Sequence, residues 1–119
     1  MLPKKYRLKS KKEFDEIFRK GKNIVGNFLT LRTKKGKTGD LKVGFVVSRK
    51  LFKKAVKRNR LRRLLQEATR KRIDQIRQSY HLVFSVKKEA DDKSFQEFES
   101  EVELLLEKAK LKKDAQENI

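Results

Sequence analysis

Cysteine and tryptophan are absent from the 119 residues, and there is one proline, one histidine and five glycines. Without cysteine there is no disulfide, no thiolate zinc site and no cysteine nucleophile. A lone histidine leaves no histidine pair for acid–base work. No apolar run approaches the roughly 18–20 residues that a membrane span needs. The start, Met1-Leu2-Pro3-Lys4-Lys5, has no apolar segment behind its charges, so no secretory signal is expected. Acidic residues are scarce as well: 16 Asp and Glu stand against 34 Lys and Arg, a net charge of +18. Hydrophobic residues make up 36%, enough for one modest core, and one domain spanning 1–119 is expected. What is left is a domain of a reducing compartment that binds a polyanion.

The positive charge is concentrated. Residues 94–119 hold 4 basic and 7 acidic side chains, leaving 30 and 9 for residues 1–93. Arg49 to Arg63 carries nine basic residues in fifteen positions and no acid. Self-repulsion on that scale calls for an anionic partner, nucleic acid first and an anionic membrane surface second.

Periodicity predicts the element order α-β-β-α-β-α in an α/β sandwich. Ser10-Lys11-Lys12-Glu13 has the form of a capping box, followed by Phe14, Ile17 and Phe18 on one helical face and Gly21 as a left-handed stop. Asn27 to Thr33 fits a first strand, and Lys34 to Asp40 a basic, solvated turn. Leu41, Val43, Phe45 and Val47 alternate as a second strand, and Tyr80, Leu82, Phe84 and Val86 as a third. A helix is expected from about Val56 to Ile76. Ser94 to Glu97 is a second capping box, leading a stripe of Phe95, Phe98, Val102, Leu105, Leu106 and Ala109. The early glutamates of that helix (Glu97, Glu99, Glu101, Glu103) and its late lysines follow the order that the helix dipole favours. The tail from Asp114 is expected to fray.

On a wheel of about 100° per residue, Leu61, Leu64, Leu65 and Ala68 share the core face, with Ile76 at its edge. Asn59, Arg63, Gln66 and Arg70 lie opposite, flanked by Arg60 and Arg62. A solvated ridge is the ordinary reading of such a face. Guanidinium forks suit phosphate oxygens better than ammonium groups do, however, and the ridge has few acids to make intrahelical pairs. Anion binding is therefore the expectation.

The string Ala55-Val56-Lys57-Arg58-Asn59-Arg60-Leu61-Arg62-Arg63-Leu64-Leu65-Gln66-Glu67-Ala68 resembles the Arg-Asn-Arg signature of the bacterial ribonuclease P protein subunit. Arg7-Leu8-Lys9, then Phe14 and Phe18 before Gly21, resemble the family's start. Val43-Gly44 and Val46-Val47-Ser48-Arg49-Lys50 resemble its second strand and exit. The likeness runs from about Arg7 to Lys113. Three positions depart from the family: Leu51-Phe52-Lys53-Lys54 where a glycine is usual, Gln66 where a basic residue is frequent, and an aliphatic such as Leu31 where the first strand commonly has an aromatic.

The resemblance implies a small mixed sheet with an unusual left-handed βαβ crossover, similar to the ribosomal protein S5 domain 2-like fold. It implies a protein that binds the catalytic RNA of ribonuclease P and assists removal of the 5′ leader from precursor tRNA. The RNA would carry out the hydrolysis with Mg²⁺ held mainly by RNA, and no catalytic or metal-ligating residue is expected in the protein. Arg58, Asn59, Arg60, Arg62 and Arg63 would contact the RNA subunit. Phe14, Phe18, Arg49, Lys50 and one of Lys87 or Lys88 would line a cleft for the single-stranded leader. A cytoplasmic monomer, one per RNA and without a membrane partner, is expected.

Other readings compete for the same residues. Aromatic pairs at i,i+4 are ordinarily core, whereas bases stack on exposed aromatics at roughly 1–3 kcal/mol each. His81 falls on the strand face opposite Leu82 and Phe84, and a structural role is expected for it. A general ribosomal or structural RNA-binding protein would share the basic helix but lack a leader cleft. A helix-turn-helix fits poorly beside three strand patterns, and a membrane-surface helix would want a broader apolar face.

Overall fold

The computed structural model describes residues 2–36 and 39–113. Helix α1 (Lys11–Lys20) is followed by strands β1 (Lys22–Val25), β2 (Leu29–Lys35) and β3 (Lys42–Val46). Helix α2 (Ala55–Arg70), strand β4 (Tyr80–Val86) and helix α3 (Phe95–Lys108) complete the order, with short 3-10 turns at Lys4–Tyr6, Ile73–Gln75 and Lys88–Asp92. The tail expected to fray, 114–119, lies outside the described residues, as does part of the expected Lys34 to Asp40 turn.

The four strands form one mixed sheet in the order β1-β2-β4-β3. β2 is antiparallel to both β1 and β4, while β3 and β4 are parallel neighbours joined through α2. This is the α+β arrangement expected, with one strand more. β1 escaped the sequence because its side chains are nearly all exposed and show no alternation. Backbone pairing with Thr30–Thr33 defines it instead.

Strand alternation sorts the sheet's two faces. Leu29, Leu31, Val43, Leu82, Phe84 and Val86 point to one face, against Leu61, Leu65 and Ala68 of α2 and Phe98, Val102, Leu105 and Leu106 of α3. The other face carries a smaller cluster in which Val83 meets Leu8 and Ile17, with Phe14 and Val46 alongside. Each fully buried side chain of this size contributes about 1.5–3 kcal/mol, so the α2/α3 face supplies most of the stability.

Helix α2 stops at Arg70, short of the expected Ile76. Arg72 leaves helical geometry (φ −110°, ψ 4°), and its guanidinium bonds Glu99 at 3.0 Å and Glu103 at 3.4 Å on α3. Ile76 still reaches the core, through a bridge to Lys112. Its hydrophobic spacing was therefore satisfied by a turn back toward the exit of α3.

The two capping boxes part company. At α3, Ser94 accepts from the Glu97 N–H and Glu97 accepts from the Ser94 N–H. At α1, the Ser10 side chain makes no cap hydrogen bond. Gly21 is also not left-handed (φ −73°, ψ 155°). Glycine is needed there because a Cβ would collide with the Ile17 carbonyl oxygen. Past α3, Lys110 takes the left-handed position (φ 59°), and the N–H groups of Lys110 and Leu111 donate to Glu107 and Leu106 in a Schellman motif.

Glu101, one of the early glutamates of α3, does more than complement the helix dipole. It is only 4% exposed, and its Oε2 accepts from the N–H groups of Phe28 at 2.8 Å and Leu29 at 3.3 Å. The carboxylate thus fixes the loop that enters β2.

Candidate nucleic-acid interface

The ladder register places three rows across β2, β4 and β3 on the α1 side of the sheet: Thr30–Ser85–Val46, Arg32–Val83–Gly44 and Lys34–His81–Lys42. Helix α1 crosses the middle row. Phe14 sits on Gly44, where a Cβ would come within 2.5 Å of its ring. Ile17 packs with Val83. Phe18 lies beside Arg32, whose guanidinium carbon is 5.1 Å from the ring centroid.

The helix thereby divides the face. Beyond its acidic side, Glu16 pairs with Lys34 at 3.3 Å and Glu13 approaches His81 at 3.8 Å. His81 packs under Gly36, half-buried, with its Nε2 buried and without a hydrogen-bond partner among the described residues. On the other side, Thr30, Ser85 and Val46 form a half-buried strip next to Phe14 and Phe18. Phe14 is half-buried, whereas Phe18 is 39% exposed. Core packing and solvent access, both open for this pair in the sequence, are thus divided between its two members.

Arg49 and Lys50 follow β3, and Lys87 and Lys88 follow β4, so parallel pairing brings the two dipeptides to the same end of the sheet. Arg49, Lys50 and Lys88 are exposed. Lys87 is turned inward, where its Nζ donates to the Gly26 carbonyl at 2.9 Å and its N–H to that of Phe28. Between the two expected alternatives, only Lys88 offers an exposed cation.

The basic helix divides similarly. Arg58 folds back on the preceding loop, donating to the carbonyls of Phe52 (2.9 Å) and Lys53 (2.8 Å). With Phe52 buried, this closes a loop in which the family usually has glycine. Arg60 and Arg63 are exposed, and Asn59 accepts from half-buried Arg62 at 3.4 Å. Glu67, the one acid of α2, is held below the usual carboxylate range chiefly by its hydrogen bond from Arg70. The first turn has no acid to complement the helix dipole. Lys57 in that turn takes its acid from outside the helix, pairing with Asp91 at 2.9 Å.

Arg32 was not among the expected site residues. Its signal was the alternation of Leu29, Leu31 and Thr33 as core positions, which sends Arg32 to the opposite face. Leu31, read as the counterpart of a family aromatic, is fully buried on the α2/α3 side. Among the described residues there is no group of three or more His, Asp or Glu side chains placed to hold a metal ion, and no helix long and apolar enough to cross a membrane.

Comparison with known proteins places this geometry. The family model described as Ribonuclease P matches residues 2–110. The ribonuclease P protein component of Symbiobacterium thermophilum is 37% identical over 111 residues, covering 92% of this chain and 96% of that protein. That of a Picosynechococcus strain is 34% identical over 105 residues, covering 88% and 90%. The Staphylococcus aureus RNase P protein superposes with a TM-score of 0.82 at 25% identity, covering 91% of this chain and 98% of that one. The Thermotoga maritima RNase P protein gives 0.77 at 25% identity, with 86% and 96% covered. The basic α2 and the crossed sheet face are thus features of a chain that belongs to the ribonuclease P protein family, the protein subunit of an endoribonuclease that processes precursor tRNA in partnership with an RNA.

Proposed function

We propose that the strip beside α1 seats the single-stranded 5′ leader while the exposed ridge of α2 grips the catalytic RNA. The observation that carries this reading is Phe18: one side of its ring is backed by Arg32 and the side chain remains exposed beside a half-buried strip. A base stacks on such a ring, and the guanidinium beside it attracts the leader phosphates. Arg49, Lys50 and Lys88 at the end of the strip extend the same field. Lys87 and Phe14 shape the seat, one by holding the Gly26 loop and the other by packing on Gly44.

On the α2 side, Arg60 and Arg63 meet RNA phosphates, and Asn59 with Arg62 supplies a planar polar pair for a base edge or ribose. Arg58 orders the loop that presents Arg49 and Lys50, and it reaches the RNA from that anchored position. Bringing two RNAs together on one cationic surface lowers their mutual repulsion, and with it the Mg²⁺ needed to hold them. Mg²⁺, held mainly by RNA in this reading, supplies the activation of water for hydrolysis. The protein contributes affinity and placement. We take the working unit to be one cytoplasmic monomer per RNA.

The test is cleavage of precursor tRNA by a bacterial ribonuclease P RNA at low Mg²⁺, with and without the protein, alongside protein alone. Leader removal rescued only by the combination supports the reading. Tight RNA binding without rescue would favour a structural RNA-binding role, and cleavage by the protein alone would place chemistry in the polypeptide. With six to ten phosphates contacted, affinity should fall by about 10³–10⁵ between 50 and 200 mM salt.

A further inference from the structure

The outer flank of α1 carries an acid beside the exposed aromatic of the leader seat. Lys11, Lys12, Asp15, Phe18 and Arg19 line one open depression on that helix. Asp15 precedes Phe18 by three residues, so the two side chains leave neighbouring turns with Cβ atoms about 5–6 Å apart. Both are exposed. Arg32, which flanks the Phe18 ring from β2, does not line the depression. Phe18 therefore stands between a guanidinium on the sheet side and a carboxylate on the outer side.

The ordinary roles of a helical acid leave this placement only partly explained. The acid in the first turn of α1 is Glu13, and Asp15 lies beyond it, where the helix dipole has faded. Attraction to Lys11 and Arg19, four residues to either side, supports the helix but has no bearing on the identity of a bound nucleotide. Toward the RNA backbone a carboxylate is unfavourable, since it repels the phosphates that the neighbouring cations attract. What it offers RNA is an acceptor-only group for the N–H donors of a base edge. The amino groups of cytosine, adenine and guanine donate to such a group. Uracil has a carbonyl oxygen in place of the cytosine amine, and a carboxylate repels it. One nucleotide can use the whole set: its base on Phe18, its edge at Asp15 and its flanking phosphates at Lys11, Lys12 and Arg19.

We propose that Asp15 is a specificity-determining residue of the leader seat. It accepts from the exocyclic amine of the base stacked on Phe18, and so favours cytosine, adenine or guanine over uracil at that place. The proposal rests on the leader reading above and adds the chemistry of the base to it.

Cytosine against uracil isolates the effect, because the two rings are alike in size and differ where one has an amine and the other a carbonyl. The measurement is binding of holoenzyme, assembled from the full chain and ribonuclease P RNA, to precursor tRNAs with all-C or all-U leaders. Mature tRNA serves as the reference. The unmodified holoenzyme should favour the C leader by roughly 3- to 10-fold, the worth of one hydrogen bond at a solvent-accessible site. Asp15→Ala should bind the two leaders equally, and at least as tightly as the unmodified protein binds the U leader. Asp15→Asn keeps the size of the side chain, and its amide both donates and accepts, so it should lose the preference too. That variant guards against an effect of truncation alone. A C preference that persists in both variants, or its absence from the unmodified holoenzyme, would overturn the proposal. So would an equal gain for both leaders on removal of the charge, which marks simple repulsion of the backbone. If Phe18→Ala left the margin of precursor over mature tRNA unchanged, the leader reading itself would fall instead.

Discussion

The guanidinium of Arg32 lies 5.1 Å from the ring centroid of Phe18, and its Nη1 donates to the Phe18 carbonyl at 3.4 Å. A strand residue thereby holds the exposed aromatic of α1 from the side and the backbone at once. Phe14, one turn earlier, has no such cation among the described residues and rests on Gly44.

This difference should separate the two phenylalanines. Phe18→Ala is expected to weaken binding of precursor over mature tRNA by about 1–3 kcal/mol, roughly 5- to 150-fold, with little change in stability. Arg32→Ala should reduce the same preference by about 0.5–1 kcal/mol. Phe14→Ala should cost stability, about 3 kcal/mol at the lower edge of the range for buried phenylalanine. Competition binding with both tRNAs, paired with urea unfolding, measures all three. Equal effects of Phe14→Ala and Phe18→Ala on both readouts would contradict the division.

Arg58 and Arg60 are two residues apart in one motif, yet the fold uses them differently. Arg58→Ala removes the donors to the Phe52 and Lys53 carbonyls and is expected to lower stability by about 1–3 kcal/mol along with RNA affinity. Arg60→Ala/Arg63→Ala should leave unfolding nearly unchanged and reduce the salt slope of RNA binding by about 1.4–1.8. Thermal unfolding and filter binding on the same preparations distinguish the pair.

Glu101 gives a test of the loop before β2. Glu101→Ala leaves two backbone N–H groups without their carboxylate acceptor and should destabilise by about 2–6 kcal/mol, at about 1–3 for each group. Glu101→Gln retains an acceptor oxygen and should cost only about 1 kcal/mol. Because Lys87 Nζ binds the Gly26 carbonyl of this loop, Glu101→Ala should also weaken leader binding, which Glu101→Gln should largely restore.

The ion pairs joining α3 to its neighbours carry a pH signature. The hydrogen bond and charge of Lys112, with Arg72 adding, hold the Glu103 carboxyl below its ordinary value near 4.5. A lowered folded value means that this stabilisation is present above the unfolded value and is lost as pH falls through the folded one. Lys112 is raised above its ordinary 10.5 by Glu103 first, so its own contribution holds below that value and is lost on going above it. Thermal unfolding of Glu103→Gln should therefore show a constant deficit against the unmodified protein between pH 6 and 9, as the two values require. The deficit should shrink as pH falls below about 4. A deficit unchanged at pH 3, well below that range, would show that the pair does not act through the charge of Glu103.

Much of this protein was determined by local pattern. Alternation in Leu82, Phe84 and Val86 and the stripe from Phe95 to Ala109 dictate their elements because one face of each must leave water, and both are found as read. The density of cations from Arg49 to Arg63 dictates an anionic partner, since charge is additive whatever the fold. The Arg-Asn-Arg string and its surroundings placed the chain in its family before any geometry was available. Tertiary structure decided what depends on partners distant in sequence. β1 exists through its ladder with β2, Ile76 reaches the core through Lys112, and Ser10 leaves its cap unmade where Ser94 completes one. Glu101, Lys87 and Arg58 look like surface charges in the sequence, but backbone groups up to 73 positions away make them anchors. The site itself followed the same division: residue types set what it can bind, and the crossing of α1 over Arg32, Val83 and Gly44 set which side of the sheet stays accessible to it.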